Sequence, residues 1–506
     1  MFKRSPSNTR CASADQPSVL IVGSGLGGIA AAIALKRDGV QRITLLERAS
    51  DVGGTWNANR YPGIAVDTSV LNYSFSFDAN PGWSRLFAPG SELHSYTKRL
   101  CVRYGILEHI RFDTTVEEMR FDTALNQWEV ETASGETLVA DVVISATGAL
   151  STPSLPKIPG LENFKGTLIH SAQWDEKFDA RGKVIAQVGS GATAAQLVPE
   201  IAKTAAEVFV YQRSAPWVLP RNDRAIGRLE STVNRAVPWS LKLRRWKQFW
   251  ANDIIARGFE KQDRTMRKQT HAALAFLERS IADPELRAMA TPDYEIGCKR
   301  RVMSDDWYPA LQRQNVSLIP HAVTAVKEHS VVDAAGEERE VDALIFSTGF
   351  DVGRMMTMKV FGCHGQELHD VWSSGARSHL GLAVSGFPNL FFMYGPNTGI
   401  GSGSTTFMLE CQARYIAQAV QYLAAHPHTA LEVLKVIQNR SYRRVQDRLA
   451  TSVFGSGCVG WYQSAHGTID TLWPGLNSEY WLRTRRFDRR DYLTLARPQH
   501  TKEVSR

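Results

Sequence analysis

The stretch Ser18–Gly28 reads S-V-L-I-V-G-S-G-L-G-G and decides the fold of the first part of the chain. Its apolar run Ser18–Val22 predicts a short buried strand. Gly23, Gly25 and Gly28 follow with the spacing G-x-G-x-x-G. This spacing permits a tight turn, close approach of backbone to a pyrophosphate and close packing of the next helix. The sequence therefore predicts a dinucleotide site of the Rossmann type.

A second predicted strand, Arg42–Leu46, ends on Glu47. A carboxylate at this place can accept hydrogen bonds from the hydroxyls of an adenine ribose, and it repels a 2′-phosphate. The first site is therefore expected to bind FAD or NAD(H) rather than NADP(H). A glycine turn in an unrelated α/β domain is the alternative interpretation, and the strand and carboxylate disfavour it.

A second glycine-rich turn, Gly189–Ala194, reads G-S-G-A-T-A and follows the predicted strand Lys183–Val188. Alanine in place of the third glycine is tolerated where a helix packs on a strand. The turn predicts a second nucleotide site, with Gly189, Gly191 and Thr193 among its cofactor-binding residues.

Arg213 lies as far after Gly189 as Glu47 lies after Gly23, so the second site has a cation where the first has a carboxylate. A planar guanidinium suits a phosphate dianion. The second site is therefore expected to prefer NADPH over NADH, with Ser214 as a second donor. An ordinary surface arginine is the alternative interpretation of Arg213.

The composition is that of a large folded protein, with 506 residues of which 43% are hydrophobic and 22% are charged. This length is typical of about two to four domains. The net charge of +8 is interpreted as ordinary surface charge, because no basic run interleaved with aromatic residues indicates nucleic-acid binding.

No apolar run reaches the ~18 residues of a membrane span, so no stable membrane insertion is expected. The polar segment 1–17 lacks the apolar core of a secretory signal and is expected to be a disordered tail. The six cysteines are scattered without a C-x-x-C pair. They predict reduced thiols in a cytoplasmic protein, with neither a metal site nor a dithiol active site.

Three further motifs accompany the two turns: D-V-G-G-T-W at Asp51–Trp56, R-Y-P-G at Arg60–Gly63, and F-K-G-T-L-I-H-S-A-Q-W-D at Phe164–Asp175. The last one matches the pattern F-x-G-x-x-x-H-x-x-x-W followed by Pro or Asp. Through these motifs the chain resembles the type I Baeyer–Villiger monooxygenases, a family of flavoprotein monooxygenases. The resemblance covers nearly the whole chain, from Val19 to Tyr492.

The resemblance implies an α/β fold with two Rossmann-like nucleotide-binding domains, for FAD and NADPH. The segment from Asn222 to Pro292 has a helical, strongly charged pattern with interspersed tryptophans and is interpreted as a helical insert in the NADPH domain. A cap over the active site is favoured for this insert over contact with a membrane. The resemblance also implies that NADPH and O2 convert a ketone to an ester or lactone through a C4a-peroxyflavin, in a monomer or weak homo-oligomer. The expected segments are 18–155 and 381–506 for the FAD domain, 156–223 and 293–380 for the NADPH domain, and 224–292 for the insert.

The resemblance also assigns residues to the cofactors and to catalysis. Those expected at the flavin and its adenine end are Gly54, Thr55, Trp56, Asp67, Tyr73, Val116 and Asn397. Lys299 is expected to hold the 2′-phosphate of NADPH, and Arg300 to act as the catalytic residue together with Asp67. Arg301 follows directly, and we choose Arg300 by its register after Lys299.

A permanent cation suits this reaction, because a peroxide anion and the alkoxide of the ketone adduct both need stabilisation. Asp67 can orient Arg300 through a charge-assisted hydrogen bond. His170 could by its chemistry be a general base, but a histidine beside Phe and Trp is more often packed and hydrogen-bonded. We expect His170 to be structural, in a joint between the two nucleotide sites.

Several C-terminal segments are expected near the flavin or the substrate. Gly386–Asn397 is expected to bring the chain back under the flavin, and Gly457–Tyr462 and Trp473–Gly475 to lie on the substrate side. The glycine-rich loop Gly399–Ser404 is expected to widen the substrate cavity.

Three other functions stay open from the sequence. A related flavin monooxygenase would oxidise nitrogen or sulfur instead of a ketone. A pyridine-nucleotide:disulfide oxidoreductase is disfavoured because the chain lacks a closely spaced cysteine pair. A nucleotide-binding regulatory protein would bind the cofactors without turnover.

Overall fold

The computed structural model describes residues 16–261, 264–351, 356–457, 462 and 467–496. Most of the expected tail at 1–17 and most of the expected substrate-side segment 457–462 lie outside the described residues. The strands are β1 (Val19–Val22), β2 (Ile43–Leu46), β3 (Ile110–Arg111), β4 (Val116–Asp122), β5 (Gln127–Thr132), β6 (Thr137–Ala140), β7 (Val142–Ser145), β8 (Thr167–His170), β9 (Val184–Val188), β10 (Glu207–Tyr211), β11 (Val218–Leu219), β12 (Val302–Met303), β13 (Val316–Ile319), β14 (Val323–Val326), β15 (Ser330–Asp333), β16 (Glu338–Glu340), β17 (Ala343–Phe346), β18 (Lys359–Phe361), β19 (Leu390–Phe392), β20 (Thr429–Val433) and β21 (Tyr492–Ala496). The α-helices are α1 (Leu26–Arg37), α2 (Thr55–Ala58), α3 (Gly90–Arg103), α4 (Ala192–Ile201), α5 (Arg228–Ala236), α6 (Pro238–Lys261), α7 (Arg264–Ser280), α8 (Pro284–Met289), α9 (Trp307–Leu311), α10 (Leu368–Trp372), α11 (Thr405–Ala425), α12 (Lys435–Ala450) and α13 (Asn477–Thr484).

Five parallel strands form the first sheet, in the order β19-β7-β1-β2-β3. The central strand β1 pairs with β2 and β7, and Val19 lies opposite Ile43 and Val142. Every residue of β1 and β7 is buried, as expected for parallel strands that are covered on both faces. Helices α1 and α11 pack together and share a hydrophobic core with this sheet.

A second parallel sheet has the order β13-β10-β9-β17-β8. Its edge strand β8 is the Thr167–His170 part of the Phe164–Asp175 motif, and it pairs with β17 so that Ile169 lies opposite Ile345. Gly166 precedes this strand under tight packing, since a Cβ there would lie 2.5 Å from the carbonyl oxygen of Asp342. The motif is therefore an integral part of the second sheet.

Smaller sheets flank these two. β18, β4, β5 and β6 form one, β14, β15 and β16 another, and β20 pairs with β21. Strands β11 and β12 pair with each other, with Val218 opposite Val302. The chain between them forms α5, α6, α7 and α8, so the helical segment begins and ends beside one short ladder. The domain boundaries expected from the sequence, including those of the insert, stay a prediction.

The chain passes between the two sheets at 152–154 and again at 349–351, and these passages are hydrogen-bonded to each other. The amide of Ser154 donates to the carbonyl of Gly349 at 3.0 Å, and the amide of Asp351 donates to that of Thr152 at 2.9 Å. The Thr348 hydroxyl donates to the carbonyl of Ser154 at 2.6 Å. The two passages therefore form a double connection.

The cysteines depart in one respect from the expectation of reduced thiols. Cys101, Cys363 and Cys411 are free and buried, but Cys298 is disulfide-bonded. Within the described ranges, no group of three or more His, Cys, Asp or Glu is arranged to hold a metal ion. None of the described helices has both the length and the hydropathy of a membrane span.

Candidate active site

The first glycine-rich turn leaves no room for side chains. Gly23 has φ +104°, and a Cβ there would lie 2.6 Å from the carbonyl oxygen of Ala146. A Cβ on Gly28 would lie 1.9 Å from the carbonyl oxygen of Gly23. The predicted flavin residue Gly54 packs against the same turn, because a Cβ there would lie 2.9 Å from the Cα of Gly25. Bare backbone is thus concentrated where a pyrophosphate would bind.

Glu47 follows β2 and is buried beside this turn. Its Oε2 accepts from the backbone amide of Ser24 at 2.7 Å and from the Ser24 hydroxyl at 2.8 Å. Its Oε1 accepts from the amide of Ala49 at 3.0 Å. A carboxylate has about four lone-pair positions, so Glu47 is held rigidly and can still accept from a ribose hydroxyl. Val116, expected near the adenine, is buried at the start of β4.

Thr55 and Trp56 begin α2, and the indole Nε1 of Trp56 donates to the hydroxyl of Tyr73 at 3.2 Å. The two rings meet edge to face, with centroids 5.6 Å apart. Burial raises the pKa of Tyr73 far above its ordinary value, so its phenol is neutral at physiological pH. The structure thus brings these predicted flavin residues together.

Arg300 and Asp67 form an ion pair although they are far apart in the sequence. The guanidinium Nε and Nη2 both donate to the same oxygen, Oδ2 of Asp67, at 2.9 and 2.5 Å. The negative charge of Asp67 raises the pKa of Arg300, while burial opposes this. The Arg300 side chain is 41% exposed, so part of the cation is open to a bound molecule.

Two tyrosines accompany this ion pair. Burial raises the pKa of Tyr394 and of Tyr462, while the positive charge of Arg300 opposes the rise in both. Both phenols are therefore neutral at physiological pH and can donate hydrogen bonds. The sequence patterns did not single out Tyr394, and only its position just before Pro396 and Asn397 could have drawn attention to it.

Arg301 points to different partners. Its Nη1 donates to Oε1 of Gln269, and its Nη2 donates to the carbonyl of Gly401 at 3.2 Å. Its guanidinium lies over the ring of Phe259 at 4.6 Å. Burial lowers the pKa of Arg301 to about 10, so it remains a cation at neutral pH. Arg301 therefore ties the helical segment to the glycine-rich loop 399–404.

The glycines of the loop Gly399–Ser404 are tightly packed, and a wider substrate cavity at this loop stays a prediction. A Cβ on Gly401 would lie 2.9 Å from the Phe454 ring, and one on Gly403 would lie 2.7 Å from the Asn477 side chain. The amide of Gly399 donates to the carbonyl of Thr471 at 2.8 Å. The glycines therefore make room for neighbouring protein atoms.

Asn397 precedes this loop and is buried. Its Nδ2 donates to the carbonyls of Ile469 and Leu472 at 2.6 and 3.0 Å. Both side-chain amide hydrogens are thus used within the protein, and the backbone amide of Asn397 donates to the carbonyl of Asp470 at 2.7 Å. A contact between Asn397 and a flavin would therefore have to use its side-chain oxygen or its backbone carbonyl.

The second glycine-rich turn repeats the geometry of the first. Gly189 also has φ +104°, and a Cβ there would lie 2.7 Å from the carbonyl oxygen of Ser347. Gly191 is the N-cap of α4, whose N-terminal amides favour a phosphate. The open space around the Cα of Gly191 leaves that end of the helix accessible.

Three predicted NADPH residues converge after β10. Nζ of Lys299 donates to the hydroxyl of Ser214 at 2.8 Å and lies 4.5 Å from the centre of the Tyr294 ring. Arg213 is exposed beside them. Burial lowers the pKa of Lys299, and the charge of Arg213 lowers it further. A bound phosphate would relieve this repulsion, so the cluster suits a dianion.

The model of the protein family described as flavin-binding monooxygenase-like matches residues 16–356. The chain belongs to this family. A Baeyer–Villiger monooxygenase of Pseudomonas aeruginosa is 39% identical over 96% of this chain and 93% of its own length. One of Streptomyces coelicolor is 40% identical over 94% and 92% of the two chains. The structure of an oxidized steroid monooxygenase bound to NADP has a TM-score of 0.82 at 25% identity and covers 93% of this chain and 97% of its own.

Membership of the flavin-binding monooxygenase-like family confirms the predicted resemblance. The α/β fold with two Rossmann-like domains is confirmed as well, by the two parallel sheets and by the structural match. The roles of individual site residues are not decided by these similarities and stay predictions.

In this flavin-binding monooxygenase, Gln196 of α4 makes a contact that sequence patterns missed. Its Oε1 accepts from the hydroxyl of Tyr61 at 2.9 Å and from the amide of Ala65 at 3.3 Å. Its Nε2 donates to the carbonyl of Ala65 at 3.0 Å. A Cβ on Gly63 would lie 2.3 Å from the carbonyl oxygen of Gln196. The helix of the second turn is therefore fixed to the segment that leads to Asp67.

His170 lies at the end of β8 and is buried. Its Nδ1 accepts from the amide of Ala172 at 3.1 Å, and its ring packs edge to face with Phe350, 6.2 Å away. Burial lowers its pKa, so the imidazole is neutral at pH 7. His170 therefore packs against the double connection at Phe350, and neither of these two contacts involves Asp67 or Arg300.

Proposed function

We propose that this flavin-binding monooxygenase carries out Baeyer–Villiger oxidation of a ketone with NADPH and O2. In this proposal Arg300 is the catalytic residue and Asp67 orients it. The observation that carries the proposal is the Asp67–Arg300 ion pair, in which a permanent cation is held by a carboxylate and stays partly exposed. The names of the relatives from Pseudomonas aeruginosa and Streptomyces coelicolor support the same reaction.

The first turn fits FAD. Side chains at Gly23 and Gly28 would collide with backbone, and the Glu47 carboxylate is held where a ribose hydroxyl can reach it. A negative charge there would repel the 2′-phosphate of NADPH. FAD, when bound, supplies the redox chemistry that connects NADPH with O2.

The second turn fits NADPH. The α4 N-terminus at Gly191 favours a pyrophosphate, and Arg213, Ser214 and Lys299 present two cations and a hydroxyl to a 2′-phosphate. In this assignment the two turns bind different nucleotides because the residues after their second strands differ in charge.

Arg300 would act on charge that develops during the reaction. When the ketone carbonyl is attacked, negative charge forms on its oxygen, and a guanidinium stabilises it without losing its own proton. Asp67 accepts two of the guanidinium hydrogen bonds and so fixes the direction of the remaining donors. Arg301 is already engaged with Gln269 and Gly401, which leaves Arg300 as the available cation.

The test is product analysis with purified protein, NADPH and air. A cyclic ketone should give a lactone, with NADPH consumed in proportion. A thioether that is oxidised while no ketone gives an ester or lactone would point instead to a heteroatom oxygenase. Failure of NADPH to bleach the yellow protein would exclude electron transfer altogether. The monomeric or weakly oligomeric state and the cytoplasmic location stay predictions.

A further inference from the structure

Helix α6 exposes a continuous apolar face. The large apolar side chains on it recur every three or four residues, which places them on one side of a helix. We call this face the tryptophan stripe; its residues and their exposed fractions are Trp239 (68%), Leu243 (44%), Trp246 (59%), Trp250 (44%) and Ile254 (61%). Such a row of exposed indoles and aliphatic side chains indicates a surface for binding another apolar surface.

Buried side chains of α6 already anchor the helix to the protein. Phe259 stacks on Phe454 with ring centroids 5.4 Å apart. The Asp253 carboxylate accepts from the backbone amide and the side-chain amide of Asn477, at 2.8 and 2.9 Å. The tryptophan stripe is therefore not needed to hold α6 in place.

The exposed charged side chains of α6 are of one sign. Lys242, Lys247 and Arg257 are exposed, and the period of about 3.6 residues per turn places Arg257 in line with the stripe and the two lysines on its flanks. The two carboxylates of the helix are used inside, since Asp253 binds Asn477 and Glu260 accepts from Arg448 at 2.9 Å. Among the described side chains of α6, the outer face thus combines apolar groups with cations and carries no carboxylate.

We propose that the tryptophan stripe docks the protein on the surface of an anionic lipid bilayer. Indole rings prefer the boundary between lipid headgroups and acyl chains. Flanking lysine and arginine side chains are attracted to anionic headgroups. The helix would lie in the plane of the interface. This is adsorption, and it requires no membrane span.

The same charges argue against a second copy of the chain as the occupant. In a symmetric dimer the same patch of each protomer meets its equivalent. The positive groups Lys242, Lys247 and Arg257 would then lie against the same positive patch of the second copy with no acidic group of α6 to compensate, and like charges across an interface are repulsive. An anionic bilayer supplies the complementary charge that a second copy lacks.

The test is co-sedimentation of the purified holoenzyme with phosphatidylcholine vesicles, with and without phosphatidylglycerol. The wild type should bind the anionic vesicles and dissociate as salt is raised. The double variant W246Q/W250Q should lose affinity by roughly tenfold or more. The matched control Trp481→Gln, at an exposed tryptophan on α13, should bind like the wild type. Unchanged NADPH oxidation would show that the variants are folded.

A second variant tests the electrostatic part. K242E/K247E keeps every indole but should weaken binding to the anionic vesicles. Equal binding by wild type and W246Q/W250Q, or no binding of wild type to anionic vesicles, would overturn the proposal. A dimer in sedimentation velocity that W246Q/W250Q abolishes, without any vesicle binding, would assign the stripe to a second copy instead.

Discussion

Arg300 and Arg301 are neighbours in the sequence with opposite surroundings. Arg300 meets the carboxylate of Asp67, and Arg301 meets the carbonyl of Gly401, an amide oxygen and a phenyl ring. The ion pair with Asp67 leaves part of the Arg300 guanidinium available to bind a substrate. The contacts of Arg301 use its guanidinium to hold two segments of the protein together. The difference between the two arginines lies in their neighbours, since the side chains are identical.

Replacing Arg300 by Ala should separate reduction from product formation. NADPH should still reduce the bound flavin, because Arg300 is not part of the cluster at Ser214. Ester formation should fall by about 10²–10³-fold, the usual effect of removing a group that stabilises developing charge. Stopped-flow absorbance and chromatography of the products measure the two steps. Normal ester formation in this variant would remove Arg300 from the catalytic role.

Replacing Arg301 by Ala should affect stability first. The Gly401 carbonyl and the Gln269 side chain would lose a partly buried donor, and such losses cost ~1–3 kcal/mol. Chemical denaturation should show a lower free energy of unfolding for Arg301→Ala than for Arg300→Ala. If the two variants ranked in the reverse order, the structural role of Arg301 would be wrong.

Replacing Arg213 by Ala should weaken the binding of NADPH selectively. A hydrogen bond to a charged group contributes ~1.5–3 kcal/mol, which corresponds to a rise in KM for NADPH of roughly 10- to 100-fold. The KM for NADH should change little, because NADH lacks the 2′-phosphate. Steady-state kinetics with both nucleotides checks this, and equal changes would contradict the assignment.

Individual elements show why part of this structure follows from the sequence and part does not. The turn after β1 and the turn after β9 are local patterns, in which each glycine is needed by backbone a few residues away or on the adjacent strand. Their form could therefore be predicted. The loop Gly399–Ser404 could not, because glycine serves equally for open space and for tight packing. Only the positions of Phe454 and Asn477, distant in the chain, decide between them.

Contacts between residues that are distant in the sequence could not be predicted either. Gln196 contacts Ala65 across 131 positions of sequence, and Arg301 contacts Gly401 across 100. Glutamine and a backbone carbonyl carry no signature of a specific chemistry. The pairing of Arg300 with Asp67 was predictable only because the family resemblance assigned both residues.

His170, the last residue of strand β8, leads to a prediction about how the stability of the protein depends on pH. Burial lowers the pKa of His170 in the folded protein, whereas an unfolded histidine has a pKa of about 6.5. The unfolded state therefore gains the proton first as the pH falls. The contribution of neutral His170 to stability is fully present above about pH 6.5 and declines below it. His170→Asn keeps an acceptor for the amide of Ala172, and its Tm should fall less between pH 8 and pH 5.5 than that of the wild type.

The same variant tests the joint role expected for this residue. His170 packs on Phe350 in the double connection, so its loss should raise the amount of NADPH consumed per product formed. Normal coupling together with normal stability would count against a joint at this place.

At the scale of the whole molecule, three of the described contacts between the parts of the chain that carry the two sheets bear on the catalytic pair. They are the double connection, the docking of α4 on the segment around Ala65, and the ion pair between Arg300 and Asp67. The second and third contacts are coupled, because Ala65 and Asp67 belong to the same short segment. The position of the catalytic pair therefore depends on how α4 packs against the segment around Ala65.

Replacing Gln196 by Ala tests this dependence. The variant loses the hydrogen bonds to Tyr61 and Ala65, which should lower the free energy of unfolding by ~1–3 kcal/mol. It should also lower the yield of product per NADPH, because Asp67 is held less firmly. The control Lys203→Ala, an exposed residue just after α4, should leave both quantities unchanged. A destabilised Q196A protein with normal yield would restrict Gln196 to a structural role.

The strand order of the first sheet has a consequence for biosynthesis. Strand β7 pairs on one side with β1 and on the other with β19, whose residues 390–392 are made long after 142–145. All strands of the second sheet lie between them in the chain, at 167–346. On the ribosome, the second sheet can therefore be complete while one edge of the first is still unpaired. Exposed strand edges are prone to mispairing, so the nascent chain is most vulnerable to aggregation during this interval.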